Sequence, residues 1–519
     1  MEGQDWAKLE QTVSKIRDNT VSKRSRATYQ NTYCRFLAWI ARNKSHLFPT
    51  LISDSLGDTS ATTIQQLRTQ IKDIVTKDRN VTPLKFEELQ AKDFVTWLVT
   101  LERKDGGALS YSALNTHRAG LFNLFRDYRH TMSKPLESEL TNYFKGLKHK
   151  LAKDAGNGDA TVKSGKDPLM FDLYSFLCEK MLGNTSNEMV FAHAYMVIAW
   201  NLMFRSSNAF GIRHSHMEWR GDALQIYFAH MKNDQGDDRP RDPRHVYANP
   251  LQPNICPIVA LGLYWATSNF DGSDLLFPGR NQYERFRKCW LRLLAQVDVA
   301  AELRRQGLDA TELGTHSMRK GSATFCSSCS TACPSSTAVH LRAGWSLGGV
   351  QNTYLRYEAA GDMHVGRTVA GLPTESYKFS TVAPHFNGHD KCVAMGTKLM
   401  FPALPSRLEL IVEYCLASLV YHSEFLKATL SPSHHIFETP IFQDKELFSS
   451  LHMRVQTGDG CTETRIRPTG VPPHVSILRI DVKNGGYTSC HCDGTRRRIG
   501  ETNVLLVPAR SLTMDFTTQ

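Results

Sequence analysis

This sequence predicts a mainly α-helical protein with a small antiparallel β-sheet, an α+β fold of two domains and a C-terminal extension of uncertain fold. Apolar residues recur at helical spacing, one short region alternates as strands do, and a polar, glycine-containing stretch separates two apolar regions. The 519 residues suffice for about two to four domains. A composition of 41% hydrophobic and 22% charged residues is typical of globular proteins and excludes a wholly disordered chain.

The first predicted domain, residues 20–152, is helical. One apolar stripe recurs at helical spacing, at Tyr29, Tyr33, Phe36, Leu37 and Ile40. A second stripe follows the same pattern, at Leu114, Leu121, Leu124, Phe125 and Tyr128. Along the second helix, Arg118 and Arg126 lie on other faces, where an anionic partner can reach them.

Residues 153–167 hold three glycines and, apart from Val162, no large apolar side chain, which predicts a linker. The second predicted domain, residues 168–372, begins with a helix to about Met181 and a buried helix at Met189–Phe204. This apolar run is shorter than the ~20 residues needed to cross a bilayer. No basic start followed by a hydrophobic stretch marks a secretory signal. We therefore expect no membrane association.

A short β-sheet is predicted inside the second domain. His216–Trp219 and Ala223–Phe228 read as strands joined by a turn at Arg220-Gly221-Asp222, and His245–Ala248 reads as a third strand. Lys232 stands near the start of the polar loop between the second and third strands.

Helical spacing returns at residues 282–295. Its apolar stripe comprises Phe286, Cys289, Trp290, Leu293 and Leu294. The other faces carry four basic residues, Arg285, Arg287, Lys288 and Arg292. A basic amphipathic helix of this kind can enter the major groove of DNA, although a surface helix with solvated charges shows the same pattern.

The C-terminal extension, residues 373–519, has an apolar helical run between Leu408 and Leu419. After it come short, glycine-rich segments that suggest strands at Val475–Val482 and Val504–Val507. We assign no function to this extension.

Basic residues are concentrated in the N-terminal part of the chain. The net charge is +11, and residues 1–150 hold 24 Lys/Arg against 16 Asp/Glu, a balance of +8. Such a balance is typical of a polyanionic partner such as nucleic acid, although a solvated basic surface gives the same count. The 12 cysteines are scattered along the chain, which indicates reduced thiols in a cytosolic or nuclear protein.

Six residues of the second domain stand out by their order and spacing. They are Arg205, Lys232, His316, Arg319, Trp345 and Tyr354. Arg205 comes at the end of the buried helix, and His316 and Arg319 lie one helical turn apart, so that both can face one anion. Trp345 can pack beside that anion and donate its indole N–H.

In this order and spacing, the six residues resemble the site of the tyrosine recombinase (phage integrase) family. That family combines an arginine at a helix end, a lysine in a β-turn, His-x-x-Arg, a His or Trp, and a nucleophilic tyrosine. The stretch RAGWSLGGVQNTYLRY also resembles the recombinases of Crypton-type eukaryotic mobile elements. The resemblance covers residues 20–372 and implies a core-binding (SAM-like) domain at 20–152 and a catalytic domain at 168–372, which together form a DNA clamp.

The resemblance implies a site-specific recombinase or integrase that cuts and rejoins double-stranded DNA through a 3′-phosphotyrosyl intermediate. It implies a homo-tetramer on two DNA sites, serving the integration and transposition of a mobile element. It implies no metal and no small-molecule cofactor. The expected location is the nucleus in a eukaryote and the cytoplasm otherwise.

The residue types suit this chemistry. Two guanidiniums, Arg205 and Arg319, can clamp the non-bridging oxygens of a phosphate with their planar donor forks. Lys232 can protonate the departing 5′ oxygen. With an unperturbed pKa of about 10, Tyr354 is a poor nucleophile at neutral pH, and His316 can accept or relay its proton.

Several features leave alternatives open. Tyr357 lies about one helical turn beyond Tyr354 and is a rival nucleophile. A second His-x-x-Arg, His364 with Arg367, has no tyrosine at a comparable distance downstream. Asn208 stands three residues after the first arginine, where the family often has an acidic residue. This departure favours, as an alternative, a decayed or domesticated DNA-binding protein without catalysis. A type IB topoisomerase-like nicking enzyme is a third hypothesis, since it shares the same chemistry.

Two groups of cysteines invite a metal interpretation, and we assign neither of them a site. Cys326, Cys329 and Cys333 have no second pair nearby, and small helix residues are the better interpretation. Cys461 with Cys490-His491-Cys492 lacks the usual zinc-ligand spacing.

Overall fold

The computed structural model describes residues 5–18, 20–77, 81–103, 106–156, 166–227, 242–268, 270, 272–345, 347, 357–458 and 466–483. The chain divides into two compact units, Met1–Gly165 and Lys166–Gln519. This division lies within the segment predicted as a linker, residues 153–167, although a helix continues to Gly156.

The first unit is built from helices. In chain order they are α1 (Trp6–Asp18), α2 (Lys23–Asn43), α3 (Thr50–Leu56), α4 (Ile64–Lys77), α5 (Ala91–Val99), α6 (Tyr111–Asp127) and α7 (Lys134–Gly156). A 3₁₀ turn at Ser45–Leu47 lies between α2 and α3.

Apart from Tyr29, the residues of both predicted apolar stripes belong to the core of this unit or pack against it. Phe36 of α2 is buried, and its ring centroid lies 5.0 Å from that of Phe94 and 5.1 Å from that of Trp97. Helix α6 passes close to α2 at Gly120, where a Cβ atom would come within 2.9 Å of the Thr32 Cβ. The two helices therefore form the centre of the unit, as aromatic packing and a small residue allow.

The second unit contains most of the chain. Its helices are α8 (Phe171–Leu182), α9 (Asn187–Leu202), α10 (Ser206–Ala209), α11 (Pro257–Thr267), α12 (Gln282–Leu294), α13 (Val297–Arg305), α14 (Thr315–Ser328), α15 (Ser336–Ala343), α16 (Ala359–Val369), α17 (Lys391–Met400), α18 (Glu409–Tyr421), α19 (Ser423–Thr429), α20 (Pro440–Gln443), α21 (Lys445–Arg454) and α22 (Pro473–Lys483). The 3₁₀ turns span His214–His216, Pro253–Ile255, Ala310–Glu312, Tyr377–Ser380, Ser406–Leu408 and His435–Glu438.

Helix α9 lies in the core of the second unit. Every residue from Met189 to Leu202 is buried, as its apolar sequence predicts. The Trp200 ring stacks 4.0 Å from that of Tyr174, and its indole N–H donates to the carbonyl of Val369 at 3.1 Å. This helix therefore has α8 and α16 as direct neighbours.

A three-stranded antiparallel sheet lies in the predicted region, in the order β1 (Met217–Arg220), β2 (Ala223–Ile226) and β3 (Arg244–Val246). Gly221 has a φ of +60°, which the tight turn between β1 and β2 requires. A second sheet pairs β4 (Val382–Phe386) antiparallel with β5 (Val455–Gly458).

The first part of the C-terminal extension is integrated into the second unit. Helix α18 packs on α11 at Gly262, whose Cβ position would lie 3.1 Å from a methyl carbon of Leu419. One continuous hydrophobic core runs from Leu169 to Leu451. The strand predicted at Val475–Val482 is wrong, because these residues belong to helix α22. The strand predicted at Val504–Val507 lies outside the described residues.

The predicted fold class, mainly α-helical with a small antiparallel sheet, is confirmed. Within the described ranges, every helix is too short or too polar to reach across a bilayer.

Candidate active site

Arg205 follows the end of the central helix. Helix α9 ends at Leu202, and Met203 adopts a left-handed conformation with a φ of 52°, which turns the chain away from the helix axis. Arg205 is therefore half-buried at the edge of the core. Its carbonyl accepts the backbone N–H of Asn208 at 2.9 Å.

Helix α14 carries the His-x-x-Arg motif. The Ser317 hydroxyl accepts the N–H of Gly314 and closes the helix start. In the first turns, the His316 side chain is exposed, whereas that of Arg319 is only 7% exposed. The motif thus places one residue towards solvent and the other in the protein interior.

A glycine allows α14 to sit close to the start of the unit. The Leu169 N–H donates to the Ser317 carbonyl at 2.9 Å. A Cβ atom at Gly321 would lie 1.8 Å from the Leu169 carbonyl oxygen, so only glycine fits at this position. The backbone of residue 169 therefore helps to fix the helix that carries Arg319.

The Arg319 guanidinium is held from one side. Its Nη2 donates to the Ala343 carbonyl at 2.5 Å, and its Cζ lies 5.4 Å from the Trp345 ring centroid. The Trp345 ring in turn contacts His340, with centroids 5.3 Å apart. The Nε of Arg319 is buried without a hydrogen-bond partner in the described structure. The guanidinium therefore has a donor that no described residue uses.

The charges of Arg205 and Arg319 are close enough to interact. Burial, together with the positive charge of Arg205, lowers the pKa of Arg319 to about 10, so the guanidinium remains charged at neutral pH. Among the described residues, no carboxylate contributes to that shift. Two neighbouring cations favour the binding of an anion.

The structure describes part of the predicted catalytic set. Arg319 is close to both Arg205 and Trp345, and His316 lies on the same helix. Lys232 and Tyr354 lie outside the described residues.

The rival nucleophile, Tyr357, is engaged elsewhere. Its hydroxyl donates to the Pro243 carbonyl at 3.0 Å, and the Arg244 guanidinium carbon lies 6.0 Å from its ring centroid. Burial, with the nearby charge of Asp362, raises the pKa of Tyr357 well above its usual range. The phenol hydroxyl thus donates a hydrogen bond to the backbone, and its ionisation to a phenolate is disfavoured. Both features weigh against a nucleophilic role for Tyr357.

Sequence reasoning missed a buried ionic network beside the two arginines. Arg342 is fully buried and donates to Asp362 Oδ1 at 2.8 Å and to the Asn201 carbonyl at 2.9 and 3.1 Å. Asp362 also accepts from the backbone N–H and Nδ1 of His245, each at 2.9 Å. The signal available was Arg342 itself, a charged residue in the apolar run before Trp345.

The second His-x-x-Arg belongs to the fold. Arg367 is fully buried, forms an ion pair with Asp222, and donates to the carbonyls of Phe379 and Thr381, each at 2.9 Å. Because its donors are occupied by protein groups, this motif is a structural bridge.

The arginines predicted to bind DNA from the first unit differ in exposure. Arg118 is half-buried, donates to the Thr141 hydroxyl at 2.9 Å and lies 5.0 Å from the Phe144 ring centroid. Arg126 is exposed and donates to the side chain of Asn123. Arg126 is the more accessible of the two.

On α12, the predicted DNA-binding residues also separate into two kinds. Arg285 forms a two-point ion pair with Glu188, at 2.9 and 3.0 Å, and stacks 4.0 Å from the Phe191 ring centroid. Its guanidinium is therefore used within the fold. Arg287, Lys288 and Arg292 are exposed. Arg287 pairs with Glu284 of the same helix, an exposed pair that an anionic partner can replace.

The first group of cysteines shows no metal-ligand arrangement. Cys326 is buried in α14, and the Sγ atoms of Cys329 and Cys333 lie 3.5 Å apart. Within the described residues, no cluster of three or more metal-binding side chains occurs. The second group, Cys461 and Cys490-His491-Cys492, lies outside the described residues.

The known proteins to which this chain is similar are found among solved structures. No family model and no curated protein matches the sequence. The XerH site-specific recombinase bound to its difH substrate is 11% identical, with a TM-score of 0.32, over 64% of this chain and 92% of that chain. The Flpe–Holliday junction complex is 11% identical, with a TM-score of 0.34, over 65% and 92%.

Ndc10, described as a platform for inner kinetochore assembly in budding yeast, is 11% identical, with a TM-score of 0.33, over 93% of this chain and 100% of that chain. At these identities and TM-scores, a functional assignment depends on the geometry of the site itself.

Proposed function

We propose that this chain is a DNA strand transferase of the tyrosine recombinase class. The observation that supports it most is the buried Arg319 guanidinium, which lies close to Arg205 and beside the Trp345 ring and whose Nε has no hydrogen-bond partner among the described residues. A DNA phosphodiester carries one negative charge shared by two non-bridging oxygens, which suits two planar cations. A nearby phenol would turn such a site from phosphate binding to phosphate transfer.

In the proposed reaction, the phenol oxygen of Tyr354 attacks the scissile phosphorus, and the bond from phosphorus to the 5′ oxygen breaks. The phenol proton passes to His316, and the departing 5′ oxygen takes a proton from Lys232. Arg205 and Arg319 neutralise the charge that builds on the non-bridging oxygens. Attack of a 5′ hydroxyl on the 3′-phosphotyrosyl ester then rejoins DNA and releases the tyrosine, without metal or nucleotide cofactor.

The proposed partner is double-stranded DNA. Arg126 of the first unit and the exposed face of α12, with Arg287, Lys288 and Arg292, supply basic groups for its phosphates. We propose further that the active species is a homo-tetramer on two DNA sites, that it integrates a Crypton-like mobile element, and that it works in the nucleus of a eukaryotic host.

A trapping experiment tests the proposal without knowledge of the target sequence. The full chain is incubated with duplexes of randomised sequence that carry nicks, so that a short 5′-hydroxyl fragment diffuses away after cleavage. We expect an SDS-resistant protein–DNA adduct, whose attached DNA can be sequenced. Tyr354→Phe should abolish the adduct, and the matched change Tyr357→Phe should leave it.

The other outcomes identify the alternatives. Salt-sensitive DNA binding with no adduct from the wild-type chain contradicts catalysis and favours a non-catalytic DNA-binding protein, the hypothesis that Asn208 motivates. An adduct with relaxation of supercoiled DNA, but no exchange between two sites, favours a topoisomerase-like nicking enzyme.

A further inference from the structure

Asp362 is the centre of the buried network. It lies in the first turn of α16, is 3% exposed, and accepts hydrogen bonds from three protein donors, contributed by Arg342 and His245. Burial alone would raise the pKa of Asp362, but the charge of Arg342 and the hydrogen bond from His245 hold it well below its ordinary value. The carboxylate is therefore ionised throughout the physiological range.

Arg342 connects this carboxylate to both sides of the proposed site. On one side, it donates to the carbonyl of Asn201, in the last turn of α9, three residues before Phe204 and four before Arg205. On the other side, the next residue in the chain, Ala343, presents the carbonyl that accepts from Arg319. Two residues later comes Trp345, which stacks on the same guanidinium.

The network thus joins the segments that hold the two arginines. Helix α15 ends with Arg342 and Ala343, and its end cannot move without breaking the bonds to Asn201 or to Asp362. Buried ion pairs are expensive to desolvate, and an apolar pair of similar volume often gives equal stability. A charged pair with directional donors instead fixes the relative positions of the elements that it joins.

We propose that Asp362 and Arg342 are positioning residues for the site formed by Arg205 and Arg319. They hold the end of α15 so that Ala343 and Trp345 orient Arg319 towards Arg205. This inference rests on the proposed function. It requires no contact between Asp362 or Arg342 and DNA. Its consequence is that disturbing the pair weakens charge stabilisation at the scissile phosphate while leaving duplex binding in place.

The test compares Asp362→Asn with a matched control, Asp222→Asn. Asp222 is buried to a similar degree and is paired with Arg367 and Thr469, neither of which contacts Arg319 or Trp345 in the described structure. Each full-length variant receives two nicked duplexes. One has the normal scissile phosphate, and the other has a methylphosphonate there, which lacks the negative charge that guanidiniums stabilise.

On the normal substrate, we expect Asp362→Asn to slow adduct formation on the order of 100-fold, as a misplacement of about 1 Å does, with duplex affinity within about threefold of wild type. On the methylphosphonate substrate, Asp362→Asn should form the adduct at a rate within about threefold of the wild-type rate. Arg319→Ala, which removes the guanidinium directly, should behave in the same way and serves as the reference. For Asp222→Asn, the rate on the normal substrate divided by the rate on the methylphosphonate substrate should equal the wild-type ratio, once both rates are corrected for the fraction of folded protein.

If Asp362→Asn does not fold, Arg342→Lys keeps a buried cation but loses the planar fork and should show the same selective loss on the charged substrate. An equal deficit on both substrates, in either variant, would mean a general structural role and would overturn the inference. If the wild-type chain forms no adduct with either duplex, the proposed function itself fails, and the two failures are thereby distinguished.

Discussion

Replacing Gly321 with alanine tests how closely α14 must approach the backbone at Leu169. The new Cβ would lie 1.8 Å from the Leu169 carbonyl oxygen and 2.7 Å from its carbonyl carbon, whereas real Cβ atoms essentially never come closer than 3.0 Å. The helix and the segment at residue 169 must therefore separate by about 1.2 Å. That movement stretches the hydrogen bond from Leu169 N–H to the Ser317 carbonyl.

The cost combines three contributions. Overpacking costs about 1–3 kcal/mol, and loss of the hydrogen bond costs about 0.5–1.5 kcal/mol. The higher helix propensity of alanine returns about 1 kcal/mol. We expect a net destabilisation of about 0.5–3.5 kcal/mol, which corresponds to roughly 2- to 400-fold faster exchange of α14 amides that exchange through a pre-equilibrium opening.

Hydrogen–deuterium exchange of peptides from residues 315–328 measures this locally, which avoids assuming that a two-unit chain unfolds in one step. The matched control is Gly146→Ala on α7, where nothing lies within 4 Å of the new Cβ, so a gain of about 0.5–1 kcal/mol is expected there. Unchanged exchange across α14 in Gly321→Ala would refute the close-approach argument.

Two further predictions concern pH and DNA affinity. Burial lowers the pKa of His193 to about 4, below its unfolded value of about 6.5, so the free energy of unfolding should fall by about 1–3 kcal/mol as the pH drops between these values. In urea titrations, His193→Gln should reduce this pH dependence without abolishing it, because burial also lowers the pKa of His214, His422 and His434 to about 4. The exposed His452→Gln is the control variant. Charge reversal at Arg287 and Lys288 should weaken duplex binding and reduce the salt slope by about one per lost phosphate contact. Arg285→Met should instead lower the free energy of unfolding by about 1 kcal/mol, because Arg285 pairs with Glu188. An unchanged salt slope in the Arg287 and Lys288 variant would contradict the role of these two residues in DNA binding.

Local periodicity accounts for the parts of the fold that could be predicted. The helix expected at 282–295 is α12, Gln282–Leu294, because its stripe of Phe286 to Leu294 buries one face. The first β-hairpin was predictable because Gly221 supplies the positive φ that its turn needs. Both features depend on residues close together in the sequence.

Long-range pairing accounts for what was missed. The β4–β5 sheet joins Val382 to Gly458, so neither segment has a sequence neighbour as its partner. At 473–483, a short apolar run gave no clear period, while Pro473 suits a first helical turn and Val475 packs with Leu372 and Phe379. Tertiary contacts decided the outcome there.

The site divides in the same way. Arg319 is predicted from its spacing to His316 and from the family pattern, and in the structure its charge interacts with that of Arg205. Arg342 and Asp362 were not identified, because their partners are 20 to 141 residues away in the sequence. A buried charge is recognisable only when the acceptors that compensate it are known.

The central claim is that Arg205 and Arg319 hold a DNA phosphate for attack by Tyr354. Its most direct test is peptide mapping by mass spectrometry of the adduct trapped on nicked duplexes, after nuclease and protease digestion. We expect a nucleotide remnant joined through a 3′ phosphate to the peptide that contains Tyr354, present in the wild-type chain and lost in Arg319→Ala. A remnant on any other residue, or none in a preparation that binds the duplex, would contradict the account.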